Sequence, residues 1–146
     1  MYKTMGRIIA IDYGIKRVGV AVTDPLRRIA TPLTTINTID ALGFLQTYME
    51  QEKVDALVVG MPKRLDNIPS PMTVIVTRFI KTLREVFPDK RIITQDERYT
   101  SKIALVSMIE GGFKKKDRRH KANLDKLSAT IILQSFLVRN SPHNGS

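Results

Sequence analysis

The chain of 146 residues contains no cysteine. That absence excludes a thiolate nucleophile, a cysteine-ligated zinc and a disulfide scaffold together, and it fits a reducing, cytoplasmic setting. Histidine is nearly as scarce, with two residues, and His120 is too isolated to read as a general base. Long apolar runs are missing. Stretches such as Ala56–Val59 are far too short to cross a bilayer, and the apolar stretch Ile8–Ile11 is interrupted by Asp12, unlike a secretory signal. The expectation is a soluble, cytoplasmic protein with no membrane partner. Glycine and proline number 8 and 7 beside 42% hydrophobic residues, which argues against a disordered or collagen-like chain. Negative charge is short too: 14 Asp and Glu face 24 Lys and Arg, a formal charge of +10. Such a surplus favours a polyanionic partner, nucleic acid above all. At this length a single domain with a real hydrophobic core is expected over residues 1–139, with 140–146 as a frayed tail.

What is present reads as alternating elements. Arg7–Asp12 is a β-branched apolar run that ends in an acid before Tyr13-Gly14, a buried strand stopped by a turn. Val18, Val20 and Val22 alternate with Gly19 and Ala21 in a second strand. The two lie so close that they must form an antiparallel hairpin, because a parallel crossover needs a dozen or more residues. Ile29–Ile36 offers a third strand, with Pro32 marking an edge or an irregular segment. Thr38 or Asp40 would cap a helix reaching about Lys53, with Leu42, Leu45 and Met49 as its apolar stripe. Asp55–Gly60 is a fourth strand, followed by a polar loop over 63–69. Ser70-Pro71 opens a helix carrying Val74, Phe79, Leu83 and Val86 and ending before Pro88. Arg91–Gln95 is a fifth strand. Thr100 or Ser101 caps a helix to Ile109, which Gly111-Gly112 ends, and a last helix runs from about Asn123 to Val138 with Leu124, Leu127, Ile131 and Phe136 inward. The order β-β-β-α-β-α-β-α-α predicts an α/β fold, a mixed sheet that begins with antiparallel strands and carries helices on its faces.

Most carboxylates stand where solvated charge belongs, as do Glu50, Glu52, Glu85 and Asp89. Asp12, Glu97 and Asp125 do not. Asp12 closes an apolar strand, Glu97 lies just past another, and Asp125 sits in the first turn of the last helix between Leu124 and Leu127. Strand ends and a helix start can meet at one edge of an open α/β sheet, where ligands of such folds bind. Carboxylates gathered there repel one another, and a divalent cation is the usual resolution. Oxygen donors without His or Cys indicate Mg²⁺, or Mn²⁺, rather than zinc. Each acid alone has a plainer reading: Asp12 as a turn residue supporting Gly14, Asp125 as an acid facing the helix dipole, Glu97 as a partner of Arg98 or Lys102. Gly14, two positions past Asp12, permits a positive φ and a close approach of phosphate or metal to the backbone.

The segments Ile11–Asp24 (IDYGIKRVGVAVTD), Gly60-Met61-Pro62, Asp96–Ser101 (DERYTS) and Asp125–Leu137 (DKLSATIILQSFL) follow one another over nearly the whole chain. Together they resemble the motifs of the YqgF/RuvX family, the Holliday-junction-resolvase-like proteins of bacteria. The resemblance implies an RNase H-like fold with a five-stranded mixed sheet. It also implies a nuclease site in which Asp12, Glu97 and Asp125 bind Mg²⁺ or Mn²⁺, and a role in processing the 5′ end of precursor 16S rRNA. Asn67 stands where the family usually has glycine, and Ser101 where it more often has threonine; neither departure touches the three acids.

On that reading the reaction is phosphodiester hydrolysis, with Lys16, Arg17 and Arg98 beside the acids as phosphate contacts. Lys114–Lys121 packs six basic side chains (Lys114, Lys115, Lys116, Arg118, Arg119, Lys121) into eight residues just before Asp125, a candidate phosphate clamp. Only Tyr13 and Tyr99 are aromatic near the acids, so base stacking has little support. RNA is favoured over branched DNA as substrate, and a monomer or weak dimer is expected; a Holliday-junction resolvase would need a dimer to meet a symmetric junction. Two other classes compete. The Asp-x-Gly opening and hairpin also resemble actin-like ATPases, but those need a second domain that this length does not supply. A non-enzymatic nucleic-acid-binding factor in transcription or ribosome assembly would gain nothing from acids turned toward phosphates.

If the Lys114–Lys121 run makes about five phosphate contacts, log K for RNA should fall against log salt with a slope of about −4 to −5. Alanine at its basic positions should flatten that slope in a salt titration, and an unchanged slope would exclude the clamp.

Overall fold

The structure, a computed structural model, describes residues 6–62, 70–96 and 121–140; in the last segment side chains are described from Leu127 onward. Strands β1 (Arg7–Tyr13), β2 (Arg17–Thr23) and β3 (Ala30–Asn37) form an antiparallel meander. β4 (Val54–Met61) and β5 (Arg91–Asp96) extend the sheet in parallel beyond β1, giving the order β3-β2-β1-β4-β5. Helices α1 (Ala41–Gln51) and α2 (Pro71–Val86) supply the crossovers that parallel strands require, and α3 (Lys121–Arg139) follows β5 in the chain. The mixed five-stranded sheet expected from the element order is therefore present. Pro32 lies on the edge strand, where a register irregularity opposite Val20 and Ala21 absorbs its missing donor.

Strand alternation divides the core in two. Ile9, Ile11, Val18, Val20, Leu57 and Val59 face α1 and α2, where they meet Leu45, Val76, Phe79, Ile80 and Leu83. The opposite set, Ile8, Ala10, Ala21, Ala30, Ala56 and Val58, meets Ala129, Ile132 and Leu133 of α3. Burial on both faces explains why β1 and β4 read as continuous apolar runs rather than alternating ones. Among the described residues no helix is long and apolar enough to cross a membrane.

Several boundaries differ from the sequence reading for identifiable reasons. Thr38–Asp40 forms a 3₁₀ turn ahead of α1, Asp40 makes no side-chain capping bond, and the helix stops at Gln51. Ala41 and Leu45 are its buried positions, while Leu42 and Met49 only pack at its margin. Ser70 does cap α2, its hydroxyl accepting from the Thr73 amide at 3.2 Å, with Pro71 in the first turn. The buried stripe of α2 is Thr73, Val76, Phe79, Ile80 and Leu83; Val74 and Val86 are 44% and 36% exposed. On α3 the buried apolar residues are Leu127, Ala129, Ile132 and Leu133, with Ile131 and Phe136 half-buried. The helix expected over 101–109, the loop 63–69 and residues 141–146 lie outside the described residues.

The end of the sheet where β1 and β4 begin is locked by ion pairs and a tight turn. Arg27, at φ 57° in the left-handed region that few non-glycine residues adopt, donates from Nε to the Gly6 carbonyl at 2.8 Å and pairs with Asp55. Asp55 in turn accepts from the Gly6 amide at 2.8 Å. Asp24 holds the β2–β3 turn by accepting from the amides of Arg28 at 2.7 Å and Ile29 at 2.9 Å. Partial burial would raise its pKa, but these backbone donors outweigh burial and hold it below the ordinary 3.8. A depressed folded pKa means stability that is complete above 3.8 and lost as pH falls beneath it. Asp24→Ala should therefore cost about 1 kcal/mol at neutral pH. In thermal melts the gap to wild type should narrow as the pH falls below 3.8 and the Asp24 carboxylate takes up its proton.

Candidate functional site at the far end of β1

Asp12 is the penultimate residue of β1 and is half-buried. By alternation it belongs with Ile8 and Ala10 on the face covered by α3. Its cross-strand partner on β2 is Gly19, and on β4 the register that pairs Ile11 with Val59 brings Gly60 next. Both neighbours of the carboxylate on that face thus lack a side chain.

The direction of α3 places Asp125. Gln134 accepts from the Ala30 amide at 3.3 Å, and Phe136, Leu137 and Asn140 line a cleft with Ile8, Asp55 and Arg91, the starts of β1, β4 and β5. The C-terminal half of α3 therefore lies where those strands begin, and its N-terminal half is directed toward where they finish. Asp125–Gln134 rises about 13 Å along the helix, and Ile8–Asp12 spans about 13 Å of strand. The backbone of Asp125 is thereby carried toward the sheet end that holds Asp12. Glu97 and Arg98 lie outside the described residues; Gln95 on β5 accepts from Arg139 of α3 at 3.3 Å. Among the described residues no three His, Cys, Asp or Glu side chains gather in a way that could hold a metal ion. Of the basic run, Lys114, Lys115, Lys116, Arg118 and Arg119 lie outside the described residues, and Lys121 begins α3 instead of ending a loop.

The turn beside Asp12 corrects one expectation. Gly14 does not adopt a positive φ; it is required by a close approach, since a Cβ there would lie 2.6 Å from the Arg17 carbonyl oxygen. Its amide donates to that carbonyl at 2.9 Å, so this donor closes the hairpin and is not left for a phosphate. Lys16 is exposed and Arg17 half-buried on the same turn. Thr38, read from sequence as a helix cap, instead donates its hydroxyl to the Gly14 carbonyl at 2.7 Å and its amide to the Lys16 carbonyl at 3.0 Å. The 3₁₀ turn is thereby bolted to the hairpin, a contact between segments that no local pattern announces. Tyr13 faces the other side of the sheet and stacks on Phe79 at 4.1 Å, and burial raises its pKa.

Five strands in this order with helices on both faces define an RNase H-like fold. RuvC of T. thermophilus, solved in complex with Holliday junction substrate, shares it with a TM-score of 0.55 over 93% of this chain and 96% of that one, at 15% identity. The sequence matches the model of the family described as RuvX, Holliday junction resolvase, over residues 6–139, and the chain belongs to that family. A protein of Amoebophilus asiaticus is 60% identical over 139 residues, which cover 95% of this chain and 99% of that one. One of Christiangramia forsetii is 52% identical over 133 residues, covering 91% and 98%. Both are assigned by name as pre-16S rRNA nucleases.

Gly14→Ala should force the hairpin turn open against the Arg17 carbonyl and destabilise the fold by about 1–3 kcal/mol in denaturant melts. Unchanged stability would show that the close approach is not a constraint.

Proposed function

We propose that the chain is a divalent-metal-dependent nuclease that hydrolyses phosphodiesters of structured RNA in the cytoplasm, in 5′-end processing of precursor 16S rRNA. Asp12, Glu97 and Asp125 are its catalytic and metal-holding acids. The observation that supports this reading is the direction of α3: its C-terminal half lies where β1, β4 and β5 begin, so the helix start bearing Asp125 is directed toward the end at which β1 finishes with Asp12. Membership of the RuvX family and relatives named for this activity support it.

The residues fit a hard cation. The proposed donors are all carboxylate oxygens, and Asp12 lies level with Gly19 and Gly60 on the neighbouring strands, positions that carry no side chain. When bound, Mg²⁺ or Mn²⁺ would activate water and stabilise the leaving oxygen. The chain supplies the rest. β1, paired on both sides, fixes the Asp12 carboxylate in place. Lys16 and Arg17, on a turn held by Thr38, contact the phosphates beside the cleaved bond, and Arg98 with the Lys114–Lys121 run secures those farther along. Net charge of +10 draws the polyanion toward an edge that also carries acids. End trimming of this kind needs one protomer, so a monomer or weak dimer suffices.

A second reading, resolution of branched DNA by a dimer, is favoured by the family description and the RuvC likeness. One experiment separates the two. Wild type and Asp12→Asn, both verified as folded, are incubated with an RNA mimicking the precursor end and with a four-way DNA junction, with Mg²⁺ or with EDTA. The RNA should be cut only with Mg²⁺, and Asp12→Asn should lose more than about 100-fold, because even outer partners of metal ligands are worth 10–100-fold. Cleavage of the junction alone would favour the resolvase. Full turnover by the variant, or cleavage in EDTA, would overturn the site.

A further inference from the structure

Asp12 and Tyr13 are consecutive residues at the end of one strand, so they project to opposite faces of the sheet. On the Tyr13 side lies an open cleft of about 420 Å³ lined by Tyr13, Thr38, Ile39, Leu42, Arg78 and Phe79 among others. We infer that this cleft takes an unstacked nucleobase of the substrate, from the nucleotide next to the cleaved phosphate. The inference rests on the nuclease reading above. A polynucleotide strand laid over the end of β1 would pass its phosphate over Asp12 on the α3 side and its neighbouring base over Tyr13 on the α1–α2 side.

The chemistry of the cleft fits that occupant. Tyr13 and Phe79, stacked at 4.1 Å and 25°, form an aromatic platform already in place. Ile39 is 92% exposed, yet it stands on the 3₁₀ turn that Thr38 ties to Gly14 and Lys16. An isoleucine held so rigidly in solvent contributes little to the core and offers an apolar wall to something that covers it. Arg78 is exposed at the rim and makes no ion pair with any described residue, a position from which its guanidinium can reach a base or a phosphate. Lys16 adds a second cation on the adjoining turn. Apolar and aromatic walls with cations at the rim are the make-up of sites for single-stranded nucleotides. The hydroxyls of Thr38 and Thr82 are committed to the carbonyls of Gly14 and Arg78. The cleft therefore reads whether the nucleotide is unpaired rather than which base it carries.

The test compares RNAs that differ only at the nucleotide beside the mapped cleavage point: unpaired, paired, or abasic. With wild type, KM should rise about 10-fold on pairing or removing the base, within the range that loss of a stacking platform produces, while exchanging one unpaired base for another changes little. Ile39→Ala and Arg78→Ala, both at exposed positions that leave the fold intact, should raise KM on the unpaired substrate and add nothing on the abasic one. In Asp12→Asn, which should bind without cutting, 2-aminopurine placed at that position should change its fluorescence on binding, and Ile39→Ala in the same background should abolish the change. RNA that is cut normally but shows neither the KM pattern nor the fluorescence change would overturn the cleft and leave the nuclease standing. RNA that is neither bound nor cut by wild type would remove both. A change in sedimentation mass for Ile39→Ala with RNA kinetics untouched would assign the isoleucine to self-association and overturn the proposal as well.

Discussion

β1 has to bury both of its faces, and the positions of Asp12 and Tyr13 follow from that. Ile9 to Ile11 are fully enclosed between α3 on one side and α1 with α2 on the other. A carboxylate within that stretch would have to leave water for an apolar interior, at a cost no local partner offsets. The first position at which the strand tolerates charge is where it emerges past the helices, and Asp12 occupies it. The same geometry settles what lies next to it. One residue further, the side chain turns to the other face, and there the emerging position is filled by an aromatic ring that packs on Phe79. One sheet end thus presents an acid on one face and an aromatic ring on the other.

The two faces are built from residues of different size, and this sets the position of α3. The α1–α2 face carries isoleucine, valine and leucine, while the α3 face carries Ala10, Ala21, Ala30 and Ala56, with Gly19 and Gly60 beside Asp12. Small residues leave a shallow surface on which a helix can lie close across several strands. Ala129 on the helix side continues the same logic. With α3 seated there and its C-terminal half tied to Ala30, the direction of its N-terminal turn has little freedom. The helix acts as a lever that carries the Asp125 position toward the end of β1.

How much of this could be read from the residues alone depends on range. The hairpin, the edge position of β3, the Ser70 cap and the oddity of Asp12 were all legible, because each rests on neighbours a few positions apart. The stripe of α2 was not: Val74 and Val86 are apolar but face solvent, and Thr73 is polar but buried. The helix phase is set by the sheet beneath it, and Thr73 is tolerated because it meets Ser70 at 3.0 Å. The reason for Gly14 was misread for the same cause, since the atom that excludes a side chain is a carbonyl across the turn. Phe79 passed as an ordinary core residue because its contact with Tyr13 joins two distant segments. Asp125 stands out in the sequence as an acid between Leu124 and Leu127, and only the direction of α3 gives its backbone a location. Glu97 stands beyond the described residues, so its part in the site is read from sequence and family alone.

The two ends of the sheet face the same electrostatic problem. Where β1 and β4 begin, each acid has a cation or a set of backbone donors at hand: Glu52 meets Arg7 at 3.5 Å, Asp55 pairs with Arg27, and Asp24 takes the amides of its own turn. Those pairings close that end, and Arg27 remains in a left-handed conformation because its guanidinium bonds hold it there. At the other end Asp12 lies level with Gly19 and Gly60, and Lys16 and Arg17 stand on the turn that follows it. On the proposed reading the neutralising charge is left to an exchangeable divalent ion, which attracts the phosphate that a fixed carboxylate would repel. The fold uses built-in cations to make one end of the sheet rigid, and on that reading an exchangeable one serves the other end.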